Sequence, residues 1–259
     1  MKKHLTCSAI AISALLLTTT IHANDKKTVH HETHTKHWGY MGDTGPRHWS
    51  ELDAKYHMCS EGKQQTPINI IPTKDTELKP LDIHYKAGST TIVNNGHTVQ
   101  INIGKGSLFN IDGVTYKLKQ FHFHVPSENN INGDAFPLEA HFVHATDDGK
   151  LAVIAVMFNE GEANPVLDKV WKKLPTLKVG KAVKCGLSAD EIKALMPKDK
   201  EYYKFMGSLT TPPCSENVKW YVFKTPLNAS KEQINTFFSL FGFPNNRPVQ
   251  PTNGRLIEE

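Results

Sequence analysis

The chain is short of the features that mark several common function classes. None of its four cysteines forms a Cys-x-x-Cys pair, which argues against a cysteine zinc site or a thioredoxin-like redox centre. No Gly-x-Ser-x-Gly elbow is present, so nothing points to a dedicated serine hydrolase. The formal net charge is only +4, and no basic stripe with interleaved aromatics occurs, which excludes an obvious nucleic-acid surface. No Pro/Gly/Ser-rich linker and no internal repeat divides the sequence. At 259 residues, 22% charged and 39% hydrophobic, it is long enough for one globular domain with a substantial core. Beyond the N-terminus there is no apolar run of membrane-spanning length, so no membrane span is expected.

What is present begins at the N-terminus. Lys2 and Lys3 precede an apolar and small-residue run from Cys7 to Ile21, and Ile21-His22-Ala23 has the small and apolar residues of a cleavage site. Residues 1–23 therefore read as a signal peptide, and the expected location is periplasmic or secreted. Cys59, Cys185 and Cys214 then remain in an oxidising compartment. An odd number implies one disulfide and one free thiol, with three pairings open. Residues 24–36 form a polar extension carrying His30, His31 and His34, followed directly by His37. It reads as a solvated, disordered tail, with weak metal collection as the functional alternative. The globular domain is expected over 37–259.

That domain is rich in strand patterns. The stretches 92–103, 116–125, 138–145, 151–158 and 218–224 alternate or are dense in β-branched and aromatic residues. LAVIAVMF at 151–158 has no polar side and reads as a central strand covered on both faces. Helical stripes are few, at 164–174, 188–195 and 230–241, with Ser188 and Ser230 as candidate N-caps. The pattern predicts a mainly β protein with peripheral helices (α+β) around one large sheet.

Within it, QFHFHVPSE (120–128) places His122 and His124 on one face of a strand, about 7 Å apart. In LEAHFVH, His141 shares a strand face with Glu139 and Val143. If the two strands pair antiparallel, His141 stands opposite the first two, with Cβ atoms about 5 Å apart. Three converging imidazoles suit zinc and leave a fourth tetrahedral position for water, the mark of a catalytic site. His48, His57 and His84 read as unrelated polar histidines.

The surrounding text is more specific. QFHFHVPSENNINGDAFPLEAHFV resembles the signature of the α-class carbonic anhydrases, and so, in order, do HWGYMGDTGPRHW (37–49), QTPINI (65–70), NNGH (94–97), GSLTTPPC (207–214) and NRPVQP (246–251). The resemblance implies a single domain around a twisted, mostly antiparallel sheet of about ten strands, with Zn2+ held by His122, His124 and His141. It implies reversible hydration of carbon dioxide to bicarbonate by zinc-bound hydroxide, zinc lowering the pKa of its water to about 7, a value established on carbonic anhydrases themselves. Gln120, Glu139 and the backbone carbonyl of Asn245 would orient the ligands. Thr210 and Glu128 would align the nucleophile, and Val143, Val153, Leu209, Thr211, Val218 and Trp220 would bind carbon dioxide. His97 would export the proton, histidine being the side chain that titrates near neutrality, with Tyr40, Asn95 and Gln100 organising water. Cys59–Cys214 would be the disulfide, leaving Cys185 without a role. Asn129 departs from the histidine common at that position. The small-molecule substrate is the partner implied; a homodimer is compatible with the resemblance, and no stretch marks an interface. The competing readings are a catalytically silent binding protein on the same fold and a zinc buffer built on the His-rich tail.

Overall fold

The computed structural model describes residues 37–259; the expected signal peptide and the 24–36 extension lie outside the described residues. The strands that build the site are β1 (Ser89–Asn94), β2 (Val99–Ile103), β3 (Val114–His124), β4 (Leu138–Ala145), β5 (Leu151–Glu160), β6 (Tyr202–Ser208) and β7 (Glu216–Phe223). They run in the order β1-β2-β3-β4-β5-β7-β6 inside a twelve-stranded sheet, two more than expected, with Ala182–Lys184 beyond β1 and Ile257–Glu258 beyond β6. The pairing is mixed. Most neighbours are antiparallel, but β5 runs parallel to β7 and to Leu227–Ala229.

Alternation sorts side chains to two sides of this sheet. One side carries the larger core, in which Phe121 and Phe123 of β3 and Phe142 of β4 are fully buried. Helices α1 (Pro165–Trp171) and α3 (Lys231–Phe241) cover it: Trp171 stacks on Phe237 at 5.3 Å, and both pack on Phe123. Asn164 caps α1 by accepting from the amides of Val166 and Leu167, while Ser230 and Gln233 form a reciprocal capping box on α3. A short helix α2 (Ala189–Lys193) starts with a similar box from Ser188 and Glu191. The other side carries a smaller apolar cluster containing Val153, Val218 and Trp220. Strand β5 contributes to both, as its unbroken apolar run requires.

One expectation is corrected. The stretch 92–103 is not a continuous strand but a hairpin, β1 turning into β2 over residues 95–98. The side-chain oxygen of Asn95 accepts from the amides of His97 and Thr98, and Gly96 takes φ +89°, a conformation that glycine adopts without a Cβ penalty. His97 consequently sits in a turn and not on a strand.

Candidate metal centre

The antiparallel register of β3 and β4 sets His122 directly opposite His141 and His124 opposite Glu139. The three imidazoles offer ligand nitrogens that all lie within 4.8 Å of one another. His124 and His141 are almost wholly buried, whereas His122 stays partly open.

The outward nitrogens of His122 and His124 are hydrogen-bonded, and that of His141 faces a carboxylate without a hydrogen bond of normal geometry. His122 Nδ1 is 2.8 Å from Gln120 Oε1, and His124 Nδ1 is 2.7 Å from the carbonyl oxygen of Asn245. His141 Nε2 stands 2.9 Å from Glu139 Oε1. Such outer partners select the tautomer and leave the other nitrogen free to ligate. Burial, reinforced by the neighbouring histidines, holds the His122 pKa well below its usual value, and burial likewise lowers that of His124. Both rings are therefore neutral and carry a lone pair. His124 Nε2 is buried without a hydrogen-bond partner, a cost that a bound cation would remove. Three converging imidazoles fit zinc.

The partners are themselves anchored. Glu139 accepts from the amides of Glu128 and Asn129 and from the Asn129 side chain. Burial alone would raise its pKa, but His141 and these hydrogen bonds outweigh burial, so it is held as a carboxylate. Asn129 also accepts from the Ile68 amide. Asn245 donates from its side chain to the carbonyls of Phe123 and His97 and accepts from the Val125 amide. That knitting fixes the carbonyl facing His124.

Glu128 lies beneath the triad, with Oε2 3.4 Å from His124 Nε2 and 3.8 Å from His141 Nδ1. Its Oε1 accepts from the Arg247 amide at 2.8 Å. Burial pushes the Glu128 carboxyl up to about 7 against the downward pull of His141, Arg247 and Thr210. A divalent cation at the triad would add a further downward pull. Thr210 is buried and close enough to influence Glu128, although Oε2 makes no hydrogen bond of normal geometry. The segment carrying Thr210 and Thr211 ends at Cys214, whose amide donates to the Thr211 carbonyl. Cys59 and Cys214 form a disulfide across 155 residues, and Cys185 is a buried free thiol.

The apolar residues gather beside the triad. Val143, Val153, Leu209, Val218 and Trp220 belong to one cluster, and the Trp220 ring meets His141 edge-on at 4.9 Å. Gln100 pairs with His122 across β2 and β3 and donates to Asn102, so it lies on the triad's face. Tyr40 is buried, and burial first, then the Glu128 charge, raises its pKa well above 10, keeping the phenol protonated. His97 is stacked on Trp38 at 3.6 Å and joined to His37 Nε2 at 2.9 Å. Asn95 is exposed and its carbonyl oxygen is committed to the turn.

Some members of this constellation escaped the sequence reading. Asn129, read as a neutral departure, is what holds Glu139. Arg247 is buried, and its guanidinium donates to Gln65 Oε1 and to the carbonyls of Thr66 and Cys59, tying the disulfide segment to the strand of backbone that holds Glu128. His37 and Trp38 are the immediate partners of His97. The only sequence signal for Arg247 was its place in NRPVQP.

Comparison with known proteins agrees with this geometry. Residues 44–259 match the family model of the eukaryotic-type carbonic anhydrases. A carbonic anhydrase of Pectobacterium atrosepticum is 47% identical over 85% of this chain and 90% of its own length, and one of Neisseria gonorrhoeae is 44% identical over 88% and 90%. Among solved structures, the α-carbonic anhydrase of Thermovibrio ammonificans in complex with sulfanilamide superposes with a TM-score of 0.82, at 44% identity over 86% of this chain and 99% of that one. The chain belongs to the α-class, eukaryotic-type carbonic anhydrase family and is an enzyme of that family.

Proposed function

We propose that this chain hydrates carbon dioxide reversibly to bicarbonate and a proton at a zinc ion held by His122, His124 and His141, and that it does so outside the cytoplasm. The observation that carries the reading is the convergence of three imidazoles between an apolar wall and the Glu128–Thr210 pair. Zinc, when bound, supplies Lewis-acid activation of water near neutral pH. Gln120, Glu139 and the Asn245 carbonyl hold the three rings in their ligating tautomers. Glu128, anchored by the Arg247 amide, accepts from Thr210, whose hydroxyl oxygen then faces the attacking nucleophile as an acceptor and sets its direction. Val143, Val153, Leu209, Val218 and Trp220, with Thr211 at their margin, bind the apolar substrate and keep competing water away from it. His97 takes the product proton outward, with Tyr40, Asn95 and Gln100 ordering the water between.

Stopped-flow carbon dioxide hydration tests this directly, with wild type against His122→Ala. No hydration above background by zinc-loaded wild type would refute it. Sulfanilamide, the inhibitor in the Thermovibrio relative, should compete in the same assay. A silent binding protein on this fold is disfavoured because all three histidines converge. A zinc buffer is separated by deleting residues 24–36: a buffer loses most of its metal, whereas the enzyme keeps one tight zinc and its activity. The Cys59–Cys214 bridge supports an oxidising compartment. No helix among the described residues is long and apolar enough to cross a membrane. The mass of the mature protein, expected to begin after Ala23, tests export.

A further inference from the structure

The stretch 169–184 (KVWKKLPTLKVGKAVK) carries six lysines and no aspartate or glutamate. Its charge exceeds the +4 of the whole chain, so the rest of the sequence is net acidic. The fold sorts this stretch by polarity. Val170, Trp171, Leu174 and Leu177 are buried in the larger core, whereas Lys172, Lys178, Lys181 and Lys184 are exposed. Of the six lysines, Lys169 is the one that meets a carboxylate among the described residues, that of Glu191 at 2.8 Å. The flanking acids are engaged elsewhere: Asp190 pairs with Lys193, and Asp168 accepts from the Gln233 side chain. The exposed lysines therefore form a patch of one sign. One apolar side chain breaks the sorting. Val179, between Lys178 and Gly180 at the tip, is 66% exposed. It is held in that position. The Lys181 amide donates to the Lys178 carbonyl at 3.0 Å, the Gly180 amide donates to the Asn94 carbonyl of β1 at 2.8 Å, and Val179 leans over Gly96. Gly180 takes φ +74°, which a side chain at that position would oppose.

We propose that this turn docks the protein on an anionic lipid bilayer, with Lys172, Lys178, Lys181 and Lys184 against lipid phosphates and Val179 inserted between the headgroups. The proposal goes beyond the hydration reading and does not depend on it. Two features favour a bilayer over a soluble polyanion. An exposed apolar side chain among lysines gains nothing from phosphate alone, but it suits an interface where apolar contact lies just beneath a layer of negative charge. The cations are also spread over a helix end, a turn and the edge strand Ala182–Lys184, which matches a surface of charge better than a single anion. Each lysine near an anionic membrane is worth about fivefold in affinity, the equivalent of about 1 kcal/mol. Four give an association that is measurable at low salt and reversed by screening. The turn is tied to β1 beside the 95–98 turn that carries His97. Docking there brings the His97 side of the molecule to the membrane.

Co-sedimentation of the full mature protein with vesicles tests this, using phosphatidylcholine alone and phosphatidylcholine mixed with phosphatidylglycerol. Wild type should bind the mixed vesicles, leave the neutral ones, and be released by raised salt. A triple variant, Lys178→Gln with Lys181→Gln and Lys184→Gln, should lose about a hundredfold in affinity. A control of equal charge change on other exposed lysines, Lys55→Gln with Lys63→Gln and Lys231→Gln, should lose much less. Val179→Ser should weaken vesicle binding about threefold or more, since a buried apolar contact is lost, and leave binding to heparin, a soluble polyanion, unchanged. Equal affinity for neutral and mixed vesicles would overturn the proposal, as would equal losses in the two triple variants. Binding to heparin without binding to mixed vesicles would assign the lysines to a soluble polyanion and overturn it too. A Val179→Ser protein that binds vesicles as wild type does would overturn the insertion of the turn.

Discussion

On the face of β4 opposite to that of His141, His144 is fully buried and bonded through Nε2 to the Tyr85 hydroxyl at 2.8 Å. Phe109 meets its ring edge-on, and Nδ1 has no hydrogen-bond partner of normal geometry. Burial pushes its pKa down to about 3 from 6.5, in spite of the backbone at Phe142 and Ala152, which favours the charged form. The unfolded chain therefore binds a proton below about pH 6.5 that the native protein refuses until about pH 3. Stability must fall as the pH drops through that window, and at about 1.4 kcal/mol per pH unit the full effect is capped near 5 kcal/mol. Between pH 7 and pH 5 the expected loss from this one group is about 2 kcal/mol. Replacing the pair together, His144→Leu with Tyr85→Phe, removes the titrating ring without stranding the hydroxyl. Urea unfolding of wild type and double variant at several pH values isolates the term, because Tyr85 stays protonated throughout the range and every other group that titrates within it is common to both. The stability difference between them should shift by about 2 kcal/mol in favour of the variant as the pH falls from 7 to 5. A difference that stays flat across that range would refute the assignment of a neutral, protected His144.

Three further outcomes follow from the same contacts. Asn129→Ala strips Glu139 of a donor and should weaken zinc affinity about 10-fold or more, read by competition with a chelator. Removing the Cys59–Cys214 bridge by paired Cys→Ser substitution should cost up to about 5 kcal/mol on the chain-entropy model, since the bridge closes a loop spanning 155 residues; unfolding midpoints in urea measure it. Arg247→Met leaves the acceptors on Gln65, Thr66 and Cys59 buried and unpaired, and should destabilise by about 3 kcal/mol or more while lowering hydration activity through Glu128.

Much of the histidine triad was legible because it depends on short-range geometry. A period of two places His122 and His124 on one face and Phe121 and Phe123 on the other, and the same rule puts His141 beside Glu139. Only the pairing of two neighbouring strands was needed to face them. The large buried strand at 151–158 was equally plain, for no surface strand is apolar on both sides. The hairpin at 95–98 was misjudged because the β-branched flanks outweighed the Asn95-Gly96 turn signal within one window. Arg247, Asn129 and the Asn245 carbonyl depend on something alternation cannot express: which loop comes to rest against which strand. His124 and Asn245 are 121 residues apart along the chain, yet 2.7 Å apart in space.

The division follows the range of the forces. Sequence alone determined the residue types and the faces they occupy, since each is written in a window of about twenty residues. The tertiary structure decided which nitrogen of each imidazole is free, how Glu128 is held and which neighbour His97 meets. Those depend on burial and on hydrogen bonds between distant segments, and both arise only once the sheet, the disulfide and the C-terminal loop have packed together.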